Sequence, residues 1–103
     1  MIKLIKDKRE ELAGLCRKYH IKRLELFGSA AMGKEFDPGS SDLDFLVEFM
    51  PVEDRNFLRD YIGLLEDLEK LFNLKVDLIE DQEFRNPYFR EAVNETRTLV
   101  YES

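Results

Sequence analysis

Asp42 and Asp44 stand two residues apart in the run Ser41-Asp42-Leu43-Asp44-Phe45-Leu46-Val47, which reads as the start of a β-strand. Side chains at i and i+2 of a strand share one face, so both carboxylates point the same way, roughly 7 Å apart along the chain. Leu43, Phe45 and Val47 then turn to the opposite face, toward a core. Carboxylates aimed at one spot repel each other, at a cost that a cation between them removes. Hard oxygen ligands of this kind suit magnesium, which takes one or two carboxylates together with phosphate oxygens of a substrate. Upstream, Gly28 and Ser29 follow the apolar run Leu24 to Phe27. Gly28 lets the backbone turn tightly and approach a ligand without a Cβ in the way. Such a turn offers N–H groups and the Ser29 hydroxyl to a phosphate, or lets Ser29 cap the short helical turn Ala30 to Gly33. Ser41, at the mouth of the second strand, can bond to a carboxylate or to backbone. Metal carboxylates and a phosphate cradle would thus lie on adjoining elements.

The elements that must position these groups follow from periodicity. Residues 2 to 19 read as a helix with Ile5, Leu12, Leu15, Cys16 and Tyr19 on one stripe. Cys16 on that stripe is a small core residue, and His20 at the helix end is a capping or surface residue. A strand follows over 21 to 27, although Lys22 and Arg23 interrupt its alternation. Lys34 to Ser41 is a loop, with turn chemistry at Asp37-Pro38-Gly39. A long amphipathic helix is expected from about Arg55 to Phe72, burying Leu58, Tyr61, Ile62, Leu65, Leu68 and Phe72, with Asn73 at its exit. Residues 74 to 79 alternate again, placing Asp77 opposite Val76 and Leu78. Glu80 and Asp81 read as a solvated turn. Asn86-Pro87 opens a last helix with Tyr88, Phe89, Ala92 and Val93 as its apolar stripe, and Thr96 to Tyr101 forms a short closing strand or packing segment. The order is that of an α/β protein with a small mixed β-sheet flanked by helices.

Composition sets the outer bounds. The 103 residues suffice for one domain, spanning 1–103, with one core. A formal charge of −6 and a pI near 4.8 rule out a broad basic footprint, so direct nucleic-acid binding is not expected. A single cysteine excludes an internal disulfide and any multi-cysteine zinc site. The N-terminus becomes charged too early for a signal-peptide core, and no apolar run approaches membrane-spanning length, so a cytoplasmic protein without membrane contact is expected.

The run Gly28-Ser29-Ala30-Ala31-Met32-Gly33, followed by Ser41-Asp42-Leu43-Asp44-Phe45-Leu46-Val47, resembles the signature of nucleotidyltransferases with the DNA polymerase β-type palm. It is most similar to the minimal nucleotidyltransferase (MNT) proteins of prokaryotes, over nearly the whole chain. The resemblance implies the polymerase β palm-like nucleotidyltransferase fold and a third carboxylate on a neighbouring strand, a role that falls on Asp77. It implies that Asp42, Asp44 and Asp77 hold two magnesium ions, with Asp77 either a ligand or the base for the attacking hydroxyl. Gly28, Ser29 and Ser41 would bind the nucleotide, with ATP as substrate. Related proteins carry an arginine just before the second glycine; here that residue is Met32, which cannot neutralise phosphate. MNT proteins are typically encoded beside HEPN-domain ribonuclease toxins and act as their antitoxins, transferring AMP to a toxin tyrosine. The resemblance therefore implies a HEPN-type partner, a hetero-oligomer and protein adenylylation. Two other readings are a binding-only antitoxin without catalysis and the catalytic subunit of a small-molecule nucleotidyltransferase.

Overall fold

The computed structural model describes residues 2–33, 42–81 and 87–103, apart from the side chain of Phe89. Within them the chain runs α1 (Lys3–Lys6), α2 (Arg9–Lys18), β1 (Ile21–Phe27), α3 (Ser29–Met32), β2 (Leu43–Phe49), α4 (Phe57–Phe72), β3 (Val76–Glu80), α5 (Pro87–Thr96) and β4 (Thr98–Glu102). The strands form one mixed sheet in the order β3-β2-β1-β4. β1 is antiparallel to both β2 and β4, and β2 is parallel to β3. The expected α/β class and small mixed sheet are therefore present.

Period-2 patterning decides the faces. Leu24, Leu26, Leu43, Phe45, Val47, Val76 and Leu78 meet Ile5, Leu12, Cys16, Leu64, Leu68 and Phe72 in the main core. Each of these larger side chains contributes about 1.5–3 kcal/mol by leaving water. On the other face, Phe27 and Leu46 pack with Val93 of α5, with Ile79 beside them. The carboxylates of β2 and β3 belong to this second face, which α5 covers only in part.

Three expectations need correction. The N-terminal helix is two helices, broken at Asp7 and Lys8. The bend accompanies a bond from the Ile2 N–H to the Ala30 carbonyl, 3.1 Å, tying the N-terminus to α3. In α4 the expected Leu68 and Phe72 are buried, but so is Leu64, which was not expected, whereas Leu58 is 65% and Ile62 43% exposed. Apolar residues cover so much of this helix that its rotation is set by the groove it enters. In α5 only Val93 of the described stripe is buried; Tyr88 and Ala92 are exposed.

The ends of α4 follow local chemistry. The Asn56 side chain accepts from the Arg59 N–H at 3.1 Å, and Asn73 closes the helix in the left-handed region (φ 53°). Arg55, expected to open this helix, instead bonds backward. Its Nη2 donates to the carbonyls of Tyr19 and His20 at 2.8 and 3.0 Å, and its guanidinium lies 5.0 Å from the Phe49 ring. Nε sits 3.1 Å from Asp60 without the alignment of a hydrogen bond. Arg55 thus satisfies carbonyls where α2 ends, with its charge where the helix dipole favours it. Arg55→Ala is expected to lower unfolding free energy by about 3 kcal/mol in a urea titration, because it strands those carbonyls and the half-buried Asp60. A loss below about 1 kcal/mol would show that water replaces the guanidinium.

Candidate active site

Parallel pairing of β2 with β3 in the register Leu43↔Val76, Asp44↔Asp77, Phe45↔Leu78 places Asp44 and Asp77 side by side. Neighbouring strands lie about 4.8 Å apart, closer than the roughly 7 Å between Asp42 and Asp44 along β2. The closest carboxylate pair is therefore the cross-strand one. Asp44 is half-buried at the end of the sheet, Asp77 exposed, and Asp42 one residue before the strand. The Asp42 Oδ2 lies 4.0 Å from the Lys75 Nζ, an exposed and loose ion pair. Asp77 lies opposite Val76 and Leu78, as expected.

Electrostatics single out Asp44. Burial pushes its carboxyl up from an ordinary 3.8 to about 6, and the charges of Asp77 and Asp42, with a hydrogen bond to Asp77, add to the rise. The sheet thus holds a carboxylate in an environment that lacks the positive charge to balance it. Among the described residues, Asp42, Asp44 and Asp77 included, no three acidic, histidine or cysteine side chains are grouped so as to hold a metal ion by themselves. The arrangement instead suits magnesium, which accepts one or two carboxylates and completes its shell with water and phosphate oxygens.

The Gly28 turn sits directly on Asp44. Phe27 pairs with Asp44 across β1 and β2, and a Cβ on Gly28 would lie 2.7 Å from the Asp44 Oδ2. With φ 74° and ψ −153°, Gly28 also occupies a region closed to other residues. Ser29 begins α3, and Gly33 ends it with φ 73°. The expected helical turn is thus present, one residue earlier. The Gly28 N–H is directed to the Thr96 Oγ1, 2.9 Å away, so Gly28 contributes shape and approach, not a free donor. Met32 is 57% exposed at the turn's end. Ser41 and Lys34 lie outside the described residues.

Gly28→Ala is expected to cost about 2 kcal/mol or more of stability and to displace Asp44. Thermal denaturation reads the first effect, and loss of nucleotide binding the second. An alanine variant with unchanged melting and binding would mean that the turn relaxes freely.

The sequence reading missed what supports the turn from behind. Glu25, 7% exposed on β1, receives two bonds from Arg97, Nε to Oε2 at 2.8 Å and Nη2 to Oε1 at 2.9 Å. Arg97 also reaches Asp81 at 2.9 Å and the Asn94 Oδ1 at 2.9 Å. Asp81 is therefore a structural ion-pair partner and not part of a solvated turn, as its sequence position suggested. A charged residue at an inward strand position, Glu25, was the available signal; its partner lies 72 residues away.

Carboxylates at one end of a small mixed sheet, beneath a Gly-Ser turn, define a nucleotidyltransferase palm. A family model described as nucleotidyltransferase domain matches residues 8–100, and the chain belongs to that family. A provisionally named protein adenylyltransferase of Methanocaldococcus jannaschii is 40% identical over 86 residues, which cover 82% of this chain and 79% of that one. Among solved structures, one described provisionally as a minimal nucleotidyltransferase shares 32% identity and a TM-score of 0.71, over 94% of this chain and 95% of that one. A chain from the complex of a tri-AMPylated Shewanella oneidensis HEPN toxin with its MNT antitoxin has the same fold. It matches with a TM-score of 0.63 and 17% identity, over 96% of this chain and 73% of that one. None of the helices among the described residues is long and apolar enough to cross a membrane.

Proposed function

We propose that this nucleotidyltransferase moves AMP from ATP to a hydroxyl of a partner protein, a tyrosine of a HEPN-type toxin, and so acts as an antitoxin in a cytoplasmic hetero-oligomer. The observation that carries the reading is the Asp44–Asp77 pair directly beneath the Gly28-Ser29 turn. Support comes from the relative named as a protein adenylyltransferase and from the fold shared with a complex whose HEPN toxin bears AMP.

Asp42, Asp44 and Asp77 are the residues that would hold magnesium. Bound there, the ions would neutralise the triphosphate and the charge that develops on the attacking and leaving oxygens. Ser29, with Ser41, would hold the terminal phosphates through hydroxyl groups, on a backbone shaped by Gly28. The acceptor hydroxyl attacks the α-phosphorus, the bond to the β-phosphate oxygen breaks, and pyrophosphate departs. Asp77, exposed beside Asp44, would complete a second metal site or take the hydroxyl's proton.

The test is the intact mass of a HEPN-type protein from the same genome, after incubation with the protein, ATP and magnesium. A gain of one or more AMP masses, absent with Asp44→Asn, is expected. A stable complex with no mass gain would replace the transferase reading by inhibition through binding alone. Transfer to a small hydroxylated compound without any protein acceptor would point to a small-molecule enzyme.

A further inference from the structure

The geometry points to Thr96 as the residue that positions the Gly28-Ser29 turn over the carboxylates, a role that rests on the nucleotidyl-transfer reading above. Thr96 is the last residue of α5, 68 positions from Gly28 in the chain, and its Oγ1 accepts the Gly28 N–H at 2.9 Å. The hydroxyl's own proton faces the carbonyls of Val93 and Ala92 at 3.4 and 3.5 Å, inside the last turn of α5. A hydroxyl is needed here because only an acceptor can take the amide. With its amide bound by Thr96, Gly28 is held at the point where the turn meets Asp44, and Ser29 follows it at the start of α3.

The bond acts where precision matters most. Gly28 approaches Asp44 so closely that a Cβ would overlap its Oδ2. The approach tolerates no side chain at Gly28, and the Thr96 bond fixes the amide of that same residue. Thr96 is itself held in place on both sides. The next residue, Arg97, is locked to Glu25 and Asp81, and three residues earlier Val93 packs on Phe27 and Leu46. Glu25 and Gly28 bracket the last turn-ward residues of β1, so the α5–β4 junction grips the end of that strand at two points. Thr96 touches no substrate; it is a positioning residue.

The experiment compares wild type, Thr96→Val and Thr96→Ser for binding of magnesium with a non-hydrolysable ATP analogue, by calorimetry. Valine keeps the shape and removes the acceptor, leaving a buried-side amide without its partner, whereas serine keeps the acceptor. Thr96→Val is expected to weaken binding about tenfold and Thr96→Ser to restore it to within about twofold of wild type. Hydrogen exchange of the Gly28 amide, followed by NMR without nucleotide, should quicken in the valine variant and stay slow in the serine variant. If Thr96→Val fails to fold, Thr96→Ser and Thr96→Ala decide the point: serine must keep both affinity and slow exchange, and alanine, which has no acceptor, must lose them. Wild-type affinity in Thr96→Val, or weak binding in Thr96→Ser with the amide still protected, would overturn the role while leaving the transferase reading intact. Failure of the wild-type protein itself to bind the nucleotide would overturn both, and is distinguished by that control.

Discussion

Asp44→Asn is expected to reduce AMP transfer by a factor of about a thousand or more, and at the same time to make the ligand-free protein more stable above pH 6. The first effect follows from the proposed ligand role: loss of one carboxylate from a metal-assisted displacement removes about 4 kcal/mol of transition-state stabilisation. The second follows from linkage. Burial and the neighbouring Asp77 and Asp42 hold the Asp44 carboxyl at about 6, against 3.8 when unperturbed. Between those values the folded protein keeps a proton that the unfolded chain has released. Unfolding therefore becomes easier as pH rises from about 4 to 6, and the full loss persists above that window. Asparagine, which cannot ionise, is free of this loss. Melting curves of the two proteins should accordingly diverge from pH 4 to 6, with the variant higher, and run parallel above it. Magnesium should raise the melting temperature of wild type at pH 8 and do much less for the variant. Parallel melting across the whole range would mean that Asp44 ionises without strain, and that the proposed cation site lacks its main driving force.

Removing Arg97 should have the largest effect on stability. Arg97→Gln leaves Glu25 almost fully buried with only the longer 3.8 Å contact to the Arg23 Nη1 against its charge, and takes a partner from Asp81. Breaking a buried pair from one side costs about 3–5 kcal/mol, enough to unfold many small domains. The paired change Glu25→Gln with Arg97→Gln should recover much of the loss, since it removes the stranded charge as well. The pH dependence has the opposite sign from that of Asp44. The hydrogen bonds from Arg97 hold the Glu25 carboxyl below its usual 4.5, against the opposing effect of burial. The stabilisation is complete above that ordinary value and disappears as pH falls through the lower folded one. Wild type should therefore lose stability in acid over a range where the double variant does not. Urea titrations at pH 3.5 and pH 7 read the difference directly; equal losses in the two proteins would show that the pair contributes little.

The chain's own pattern determined the parts of this protein that depend on near neighbours. Alternation alone put Asp42 and Asp44 opposite Leu43, Phe45 and Val47, and Asp77 opposite Val76 and Leu78, because strand periodicity needs only adjacent residues. Asn73 marked the end of α4 for the same reason, as did Gly33 for α3. The site's chemistry was legible through the Gly-Ser turn and the spaced aspartates, and the resemblance they carry led to the family.

Tertiary structure decided what depends on distant partners. That Asp77 stands beside Asp44, closer than Asp42 can, comes from the register of a parallel pair joined through α4. The rotation of α4 was settled by its groove, since Phe57, Leu58, Tyr61, Ile62, Leu64, Leu65, Leu68, Leu71 and Phe72 leave no unique apolar stripe to read. Arg55, Arg97 and Thr96 look like ordinary surface residues until the fold supplies, respectively, the end of α2, a buried Glu25 and the Gly28 amide. Such bonds join segments tens of residues apart. They exist only once the sheet has closed, and no local pattern announces them.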